Sequence, residues 1–167
     1  KAVGSGHSFT AIAVPDGVAV RAPSDRRLLQ VDATGLATVP AGMTLRTLSP
    51  LLWARGRALP NLGDIDAQTV AGAIATGTHG TGARHRGLAD QVRALELVTA
   101  DGAVRTCSPS ENAGLFAAAR VGLGALGILV SVTLQTVPAF HLHAIEAARP
   151  LEGALELFDG DDDHVEF

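Results

Sequence analysis

The chain has 167 residues, 47% hydrophobic and 18% charged, enough to bury one good core. Its net charge of −4 argues against a nucleic-acid partner, and 4% aromatic residues with no tyrosine argue against a base-stacking platform. The single cysteine, Cys107, excludes an internal disulfide and a cysteine-based metal site, and the most apolar run, Leu126 to Val132, is far too short to span a membrane. The ends are unusual. Lys1, the only lysine, lies inside a strand–loop motif, and His164-Val165-Glu166-Phe167 reads as a strand beginning. The expectation is a piece of a longer protein, with any targeting signal outside it. Arginine in place of lysine, with abundant alanine and glycine, hints at a GC-rich bacterial genome.

Ala2 and Val3 read as the end of a strand entering Gly4-Ser5-Gly6-His7-Ser8-Phe9. Two glycines one residue apart let the backbone approach a bulky anion, and successive N–H groups in such a turn can form an anion-binding nest. His7 adds a nucleophilic nitrogen beside it. A Rossmann loop fails, because the sixth position from Gly4 is Phe9 and the turn residues Pro15-Asp16-Gly17 follow where a helix is required. A P-loop fails because no Gly-Lys-Ser/Thr follows. On this loop alone, a plain glycine turn with a surface histidine fits equally well.

Val18 to Arg21 and Leu28 to Val31 are short strand candidates, and Leu28 to Val39 reads as a hairpin through Ala33-Thr34-Gly35. Thr44 is the expected N-cap of a helix through Ala54, with Leu45, Leu48, Leu51 and Leu52 at helical spacing and Arg55-Gly56 as the stop. Pro50 is expected to bend this helix or delay its start. Thr69 to Ala75 reads as a short helix of small residues. Gln91 to Thr99 alternates into the turn Asp101-Gly102 and a second strand to Thr106. Asn112 to Arg120 is a short helix, and Gly127 to Val137 is the best strand, closed by Pro138. Irregularly spaced strands and helices point to an α+β fold.

Thr76-Gly77-Thr78-His79-Gly80-Thr81-Gly82 is the second site candidate. Its free N–H donors and short hydroxyls suit the polar linker of a large cofactor, although such a composition also describes a flexible surface loop. The other histidines carry less. His85, between two arginines, is expected to be solvated, and His141 and His143 would share one face of a strand without a third metal ligand. Asp159 to Asp163 lacks the pattern of a calcium loop and reads as a solvated turn. No metal site is expected, and nothing marks Cys107 as reactive.

Together the two glycine segments, in order with Asn61-Leu62-Gly63-Asp64-Ile65, Thr69-Val70-Ala71-Gly72, Glu96 to Gly102 and Leu123-Gly124-Ala125-Leu126-Gly127-Ile128, resemble the PCMH-type flavin domain of the vanillyl-alcohol-oxidase superfamily. Within it the likeness is greatest to the sugar-lactone and alditol oxidoreductases. The resemblance implies two α+β subdomains holding FAD, here residues 1–139 without their first strands, and the opening of a substrate-binding cap domain at 140–167. It implies that His7 is joined to the 8α-methyl of the isoalloxazine and that Gly4, Ser5, Gly6 and Ser8 hold the pyrophosphate. Thr69, Ala73, Thr76, Gly77, Gly80, Thr81 and Gly82 would line the flavin and its linker. Gly63 would also border the cofactor, and the Ile128 backbone would meet the adenine.

The implied reaction is hydride transfer from a CH–OH carbon of an L-gulono- or D-arabinono-1,4-lactone to flavin N5. Oxygen or another acceptor would take the electrons, in a bacterial cytoplasm or at its membrane. The substrate-activating residues would lie outside this chain, which alone is not expected to turn over substrate. The alternatives are an alditol oxidase, another flavin oxidoreductase of this fold, or a non-catalytic binding module. A sugar-nucleotide reductase would normally lack the linking histidine. A berberine-bridge-type enzyme would add a cysteinyl link that Cys107 matches poorly.

Overall fold

A computed structural model describes residues 1–167. Its backbone is mixed helix and sheet, as expected. Strands β1 (Gln30–Val31) and β2 (Leu36–Pro40) form the first hairpin. Asp32 closes it, its carboxylate accepting from the Thr34 and Leu36 N–H groups at 2.8 and 2.9 Å. Strands β4 (Val92–Val98) and β5 (Val104–Cys107) form the second hairpin around Asp101-Gly102. The best sequence strand, β6 (Ile128–Gln135), lies between the hairpins, giving a five-stranded antiparallel sheet in the order β1-β2-β6-β4-β5.

Alternation along these strands sends Ala37, Val39, Leu95, Leu97, Val132 and Leu134 into one buried cluster. The sheet's other side carries polar pairs instead, with Thr38 and Thr133 hydroxyls 2.9 Å apart and Ser131 Oγ donating to Glu96 at 2.8 Å. The cluster is completed by α1 (Leu45–Trp53), α2 (Val70–Ala75) and α3 (Ala113–Ala119). Helix α1 starts where Thr44 Oγ1 accepts from Thr47 N at 3.2 Å. It buries Leu45, Leu48 and Leu52, each contributing about 1.5–3 kcal/mol by apolar burial.

Several local expectations are corrected. Pro50 does not delay α1, which runs through it from Leu45. The start is fixed by the Thr44 cap and by Arg46 N donating to the Asp66 carbonyl at 2.7 Å. The expected strand at Val18 to Arg21 contracts to a single bridge between Val20 and Ala2. The strand expected at Leu28 to Val31 shortens to Gln30–Val31, Leu28 closing a 3-10 turn over Arg26–Leu28 in which Asp25 accepts from the Arg27 N–H at 3.0 Å. The last strand does not continue to Val137. Buried Thr136 interrupts it, its Oγ1 donating to the Gly35 carbonyl at 2.6 Å and accepting from Arg57 Nε at 2.9 Å. Val137–Pro138 (β7) then pairs with Arg57–Ala58 (β3) in a separate two-stranded ribbon.

No strand forms at His141 and His143, and the His141 ring instead meets Trp53 edge-on, centroids 5.0 Å apart. Helix α4 (Leu151–Leu155) runs into a 3-10 turn at Glu156–Asp159. Residues 164–167 form no strand, because they find no strand partner. His164 docks instead on Thr81, with Nδ1 3.1 Å from Oγ1. His85 is correspondingly not free in solvent: its ring stacks parallel on His164 at 4.8 Å. Asp163, at the end of the acidic turn, pairs with Arg84 at 2.7 Å. Cys107 is buried, and burial pushes its thiol up, in line with an unreactive side chain.

Candidate cofactor site

The chain enters the first glycine segment under control. Val3 N donates to the Val20 carbonyl and Val20 N to the Lys1 carbonyl, both at 2.9 Å. Gly4 then passes close to Thr69: a Cβ there would stand 2.8 Å from Thr69 Oγ1. That hydroxyl is already committed, accepting from Gly72 N at 3.1 Å as the N-cap of α2. The absence of a side chain at Gly4 is therefore what lets the loop lie against the start of α2. From Gly4 to Phe9 no backbone N–H donates to another backbone group. The loop is exposed over most of its length, so these donors are available to an anion.

A third segment meets the first two. Leu123 N donates to the Ala75 carbonyl at 3.2 Å, and Ala125 N to the Gly122 carbonyl at 2.9 Å. This folds Gly122 to Ile128 over the end of α2. Gly127 lies at φ +147° with the Val98 carbonyl pressed where a Cβ would project, so only glycine fits. The three segments enclose one cavity of about 520 Å³, and half of its lining residues are hydrophobic. Leu97, Leu123, Leu126 and Ile128 supply an apolar wall, whereas Ser5, Ser8, Thr69 and Thr76 supply hydroxyls. A smaller cavity of about 390 Å³ adjoins it, bordered by His7, Gly63, Asp64, Thr78 and His79.

The structure thus places Gly4, Ser5, Gly6, His7, Ser8, Thr69, Thr76 and Ile128 on the larger cavity and Gly63 on the smaller. His7 is exposed and borders both. Ala73, Gly77, Gly80, Thr81 and Gly82 line neither. Ala73 is wholly buried on the inner face of α2. Gly77 makes the turn that follows it, and Gly80 packs on the Leu62 carbonyl. Thr81 faces His164, while Gly82 packs on the Asp163 carbonyl.

The site also contains Gln68, which the sequence did not single out, and Leu123, Gly124 and Leu126, which were quoted in a motif without a site role. Three glycines at 122, 124 and 127 were the available signal for the last three. Gln68 carried none. No group of three or more His, Cys, Asp or Glu side chains converges as metal ligands.

Free N–H donors and an apolar wall on one cavity suit a ligand that carries both an anionic part and a flat, apolar part. That is the chemistry of a dinucleotide cofactor, and the molecule is of the class of mixed α and β cofactor-binding domains. A family model described as "FAD binding domain" matches residues 1–108, and the chain belongs to that family. Its cofactor is FAD.

Over 171 aligned positions the chain is 48% identical to an L-gulono-1,4-lactone dehydrogenase of Mycobacterium tuberculosis, covering all of this chain and 39% of that protein. It is 48% identical to an L-gulonolactone oxidase of Mus musculus, covering 99% of this chain and 37% of that one. It is 41% identical to an alditol oxidase of a Streptomyces species, with 83% and 34% covered. The chain spans roughly two fifths or less of the length of these curated relatives. The flavin-domain resemblance read from the ordered motifs is borne out.

Proposed function

We propose that the protein is an FAD-dependent oxidoreductase that oxidises a CH–OH group of a sugar lactone, of the L-gulono- or D-arabinono-1,4-lactone kind. This chain supplies its cofactor site. The observation that carries the reading is the convergence of Gly4–Phe9, the start of α2 and Gly122–Ile128 on one cavity. The relatives named for lactone oxidation or dehydrogenation, 48% identical over nearly the whole chain, support the substrate class.

When bound, the flavin would supply a hydride acceptor for the substrate CH–OH carbon. The chain's own residues bind and orient. The N–H groups of Gly4 to Ser8, with the Ser5 and Ser8 hydroxyls, hold the pyrophosphate charge. Leu123, Leu126 and Ile128 give the adenine an apolar bed that water cannot fill at the same cost. Thr69 and Thr76 border the same cavity with hydroxyls already used on α2, Thr69 Oγ1 accepting from Gly72 N and Thr76 Oγ1 donating to the Gly72 carbonyl, which leaves the Thr69 O–H and the Thr76 oxygen lone pairs for the ligand. Ala73, Gly77 and Gly80 to Gly82 act from behind, shaping the second glycine segment so that Thr78 and His79 reach the smaller cavity. His7, exposed at the junction of the cavities, would be the tethering residue, its ring nitrogen replacing a hydrogen of the 8α-methyl while the two electrons released stay on the flavin until the acceptor takes them. Oxygen or another acceptor removes the electrons.

Residues 1–139 form the flavin domain and 140–167 open a substrate-binding cap. Exposed Leu142, Ile145, Leu151 and Phe158 support this division, because they leave apolar surface for further chain to cover. The alditol-oxidase relative makes a polyol the second substrate reading. Precipitating the flavin-loaded intact protein in acid tests the cofactor and tether parts of the proposal. The pellet is expected to stay yellow, and His7→Ala is expected to release its flavin to the supernatant. A colourless pellet from protein with His7 intact refutes the tether, and a preparation that takes up no flavin at all refutes the cofactor reading.

A further inference from the structure

Gly6, His7, Ser8, Phe9 and Gln68 border both cavities and so form the passage between them. All but one belong to the first glycine segment. Gln68 alone comes from elsewhere in the chain, and it is the passage's one carboxamide. Its main chain is held firmly. Leu45 N donates to the Gln68 carbonyl at 3.0 Å. Two residues earlier, the Asp66 carboxylate accepts from Arg46 Nη2 at 2.8 Å and Nε at 3.1 Å. One residue later, Thr69 pairs with Thr44 across an isolated bridge.

The side chain is half-buried and oriented by Thr78, Nε2 donating to Thr78 Oγ1 at 3.1 Å and Oε1 accepting from the same hydroxyl at 3.5 Å. Thr78 is itself fixed, its N–H donating to Ala73 at 3.0 Å and its carbonyl accepting from Leu88 N at 2.9 Å. A carboxamide has two N–H donors and a carbonyl with two acceptor sites. Thr78 engages one N–H and, at the long limit of a hydrogen bond, one of the two acceptor sites on the carbonyl. The second N–H and acceptor capacity on the carbonyl remain for whatever threads the passage.

FAD has its pyrophosphate between an adenosine half and a flavin half. With the pyrophosphate beside Gly4 to Ser8 and the adenine at Gly122 to Ile128, the part that passes toward His7 is the ribityl chain. Its hydroxyls both donate and accept, and an amide answers them in both directions, whereas a cation only donates and a carboxylate only accepts. We infer that Gln68 is a cofactor-binding residue for the ribityl chain, giving it one N–H donor and one carbonyl acceptor while Thr78 fixes the amide. This assignment rests on the cofactor reading above.

The test uses calorimetry on the intact protein, prepared free of flavin on a His7→Ala background so that ligands exchange. The probes are FAD, riboflavin and ADP, the last lacking the ribityl chain. Gln68→Leu is expected to weaken FAD and riboflavin about 10-fold, the effect of one lost hydrogen-bonding group, and to leave ADP within about 2-fold. Thr78→Val is expected to give the same pattern with a smaller loss. Unchanged ADP binding shows that each variant is folded. Parent-like FAD affinity in Gln68→Leu overturns the assignment, as does loss of ADP in equal proportion, which marks a merely structural role. A parent that binds ADP but neither flavin overturns the assignment and the cofactor reading together.

Discussion

At the scale of single residues, the site depends on what is missing as much as on what is present. Gly4 has no Cβ, and one placed there would stand 2.8 Å from Thr69 Oγ1. Threonine could rotate away only by giving up its hydrogen bond to Gly72 N, the cap of α2. Gly4→Ala therefore either shifts the loop off the cavity or costs the cap, on the order of 1 kcal/mol. A loop shift moves the free N–H groups away from the pyrophosphate. On the exchangeable His7→Ala background, FAD affinity in Gly4→Ala is expected to fall by at least about 10-fold, read by quenching of flavin fluorescence, while unfolding stays cooperative and loses no more than the cap's contribution of about 1 kcal/mol. Wild-type affinity in that variant would show that the close approach of Gly4 to Thr69 is incidental. His7 and Gln68 act at the same scale with opposite visibility. A histidine beside two glycines announces itself in the sequence, whereas a glutamine between an aspartate turn and a threonine cap does not.

At the scale of elements, the sequence was most legible where one local signal decided the outcome. Thr44, its leucines at helical spacing and Gly56 gave α1. Asp101-Gly102 gave the β4–β5 hairpin, and Thr69 gave α2. It was least legible where a distant partner decided. Thr136 breaks the last strand because Gly35 and Arg57, far away in sequence, take its hydroxyl. His164 leaves strand pattern behind because Thr81 and His85 receive it. His85, flanked by arginines, reads as solvent-facing only until that stacking partner is known. The second glycine segment follows the same rule. Its composition marked it as cofactor wall, yet Gly80 and Gly82 are small because backbone carbonyls of Leu62 and Asp163 press on them. A glycine required by packing and one required by a ligand look alike in sequence.

At the scale of the whole molecule, the surface carboxylates set the acid limit of the fold. Asp25, Asp66 and Asp163 are held below the usual carboxylate range chiefly by hydrogen bonds from Arg27, Arg46 and Arg84. Asp32 is lowered chiefly by the Thr34 side chain. Asp101 is lowered to about 2, first by the Thr99 hydroxyl, then by the Ala103 N–H and Arg105. A group with a depressed folded pKa binds fewer protons folded than unfolded, so its stabilisation is present above the unfolded value of about 4 and is lost as pH falls through the folded one. The thermal midpoint is expected to drop between about pH 4 and pH 2, without a comparable drop from pH 6 to pH 5. A midpoint that holds or rises on acidification across that window would contradict this account.

The same scale decides the central claim, because it concerns how separate stretches of chain share one ligand. A crystal structure of the intact protein with FAD tests it most directly. The expected result has the pyrophosphate against the N–H groups of Gly4 to Ser8, the adenine against Leu123 to Ile128, and the flavin ring beyond the Gln68 passage on the His7 side. FAD bound at another place, with this cavity still filled by solvent, would contradict it.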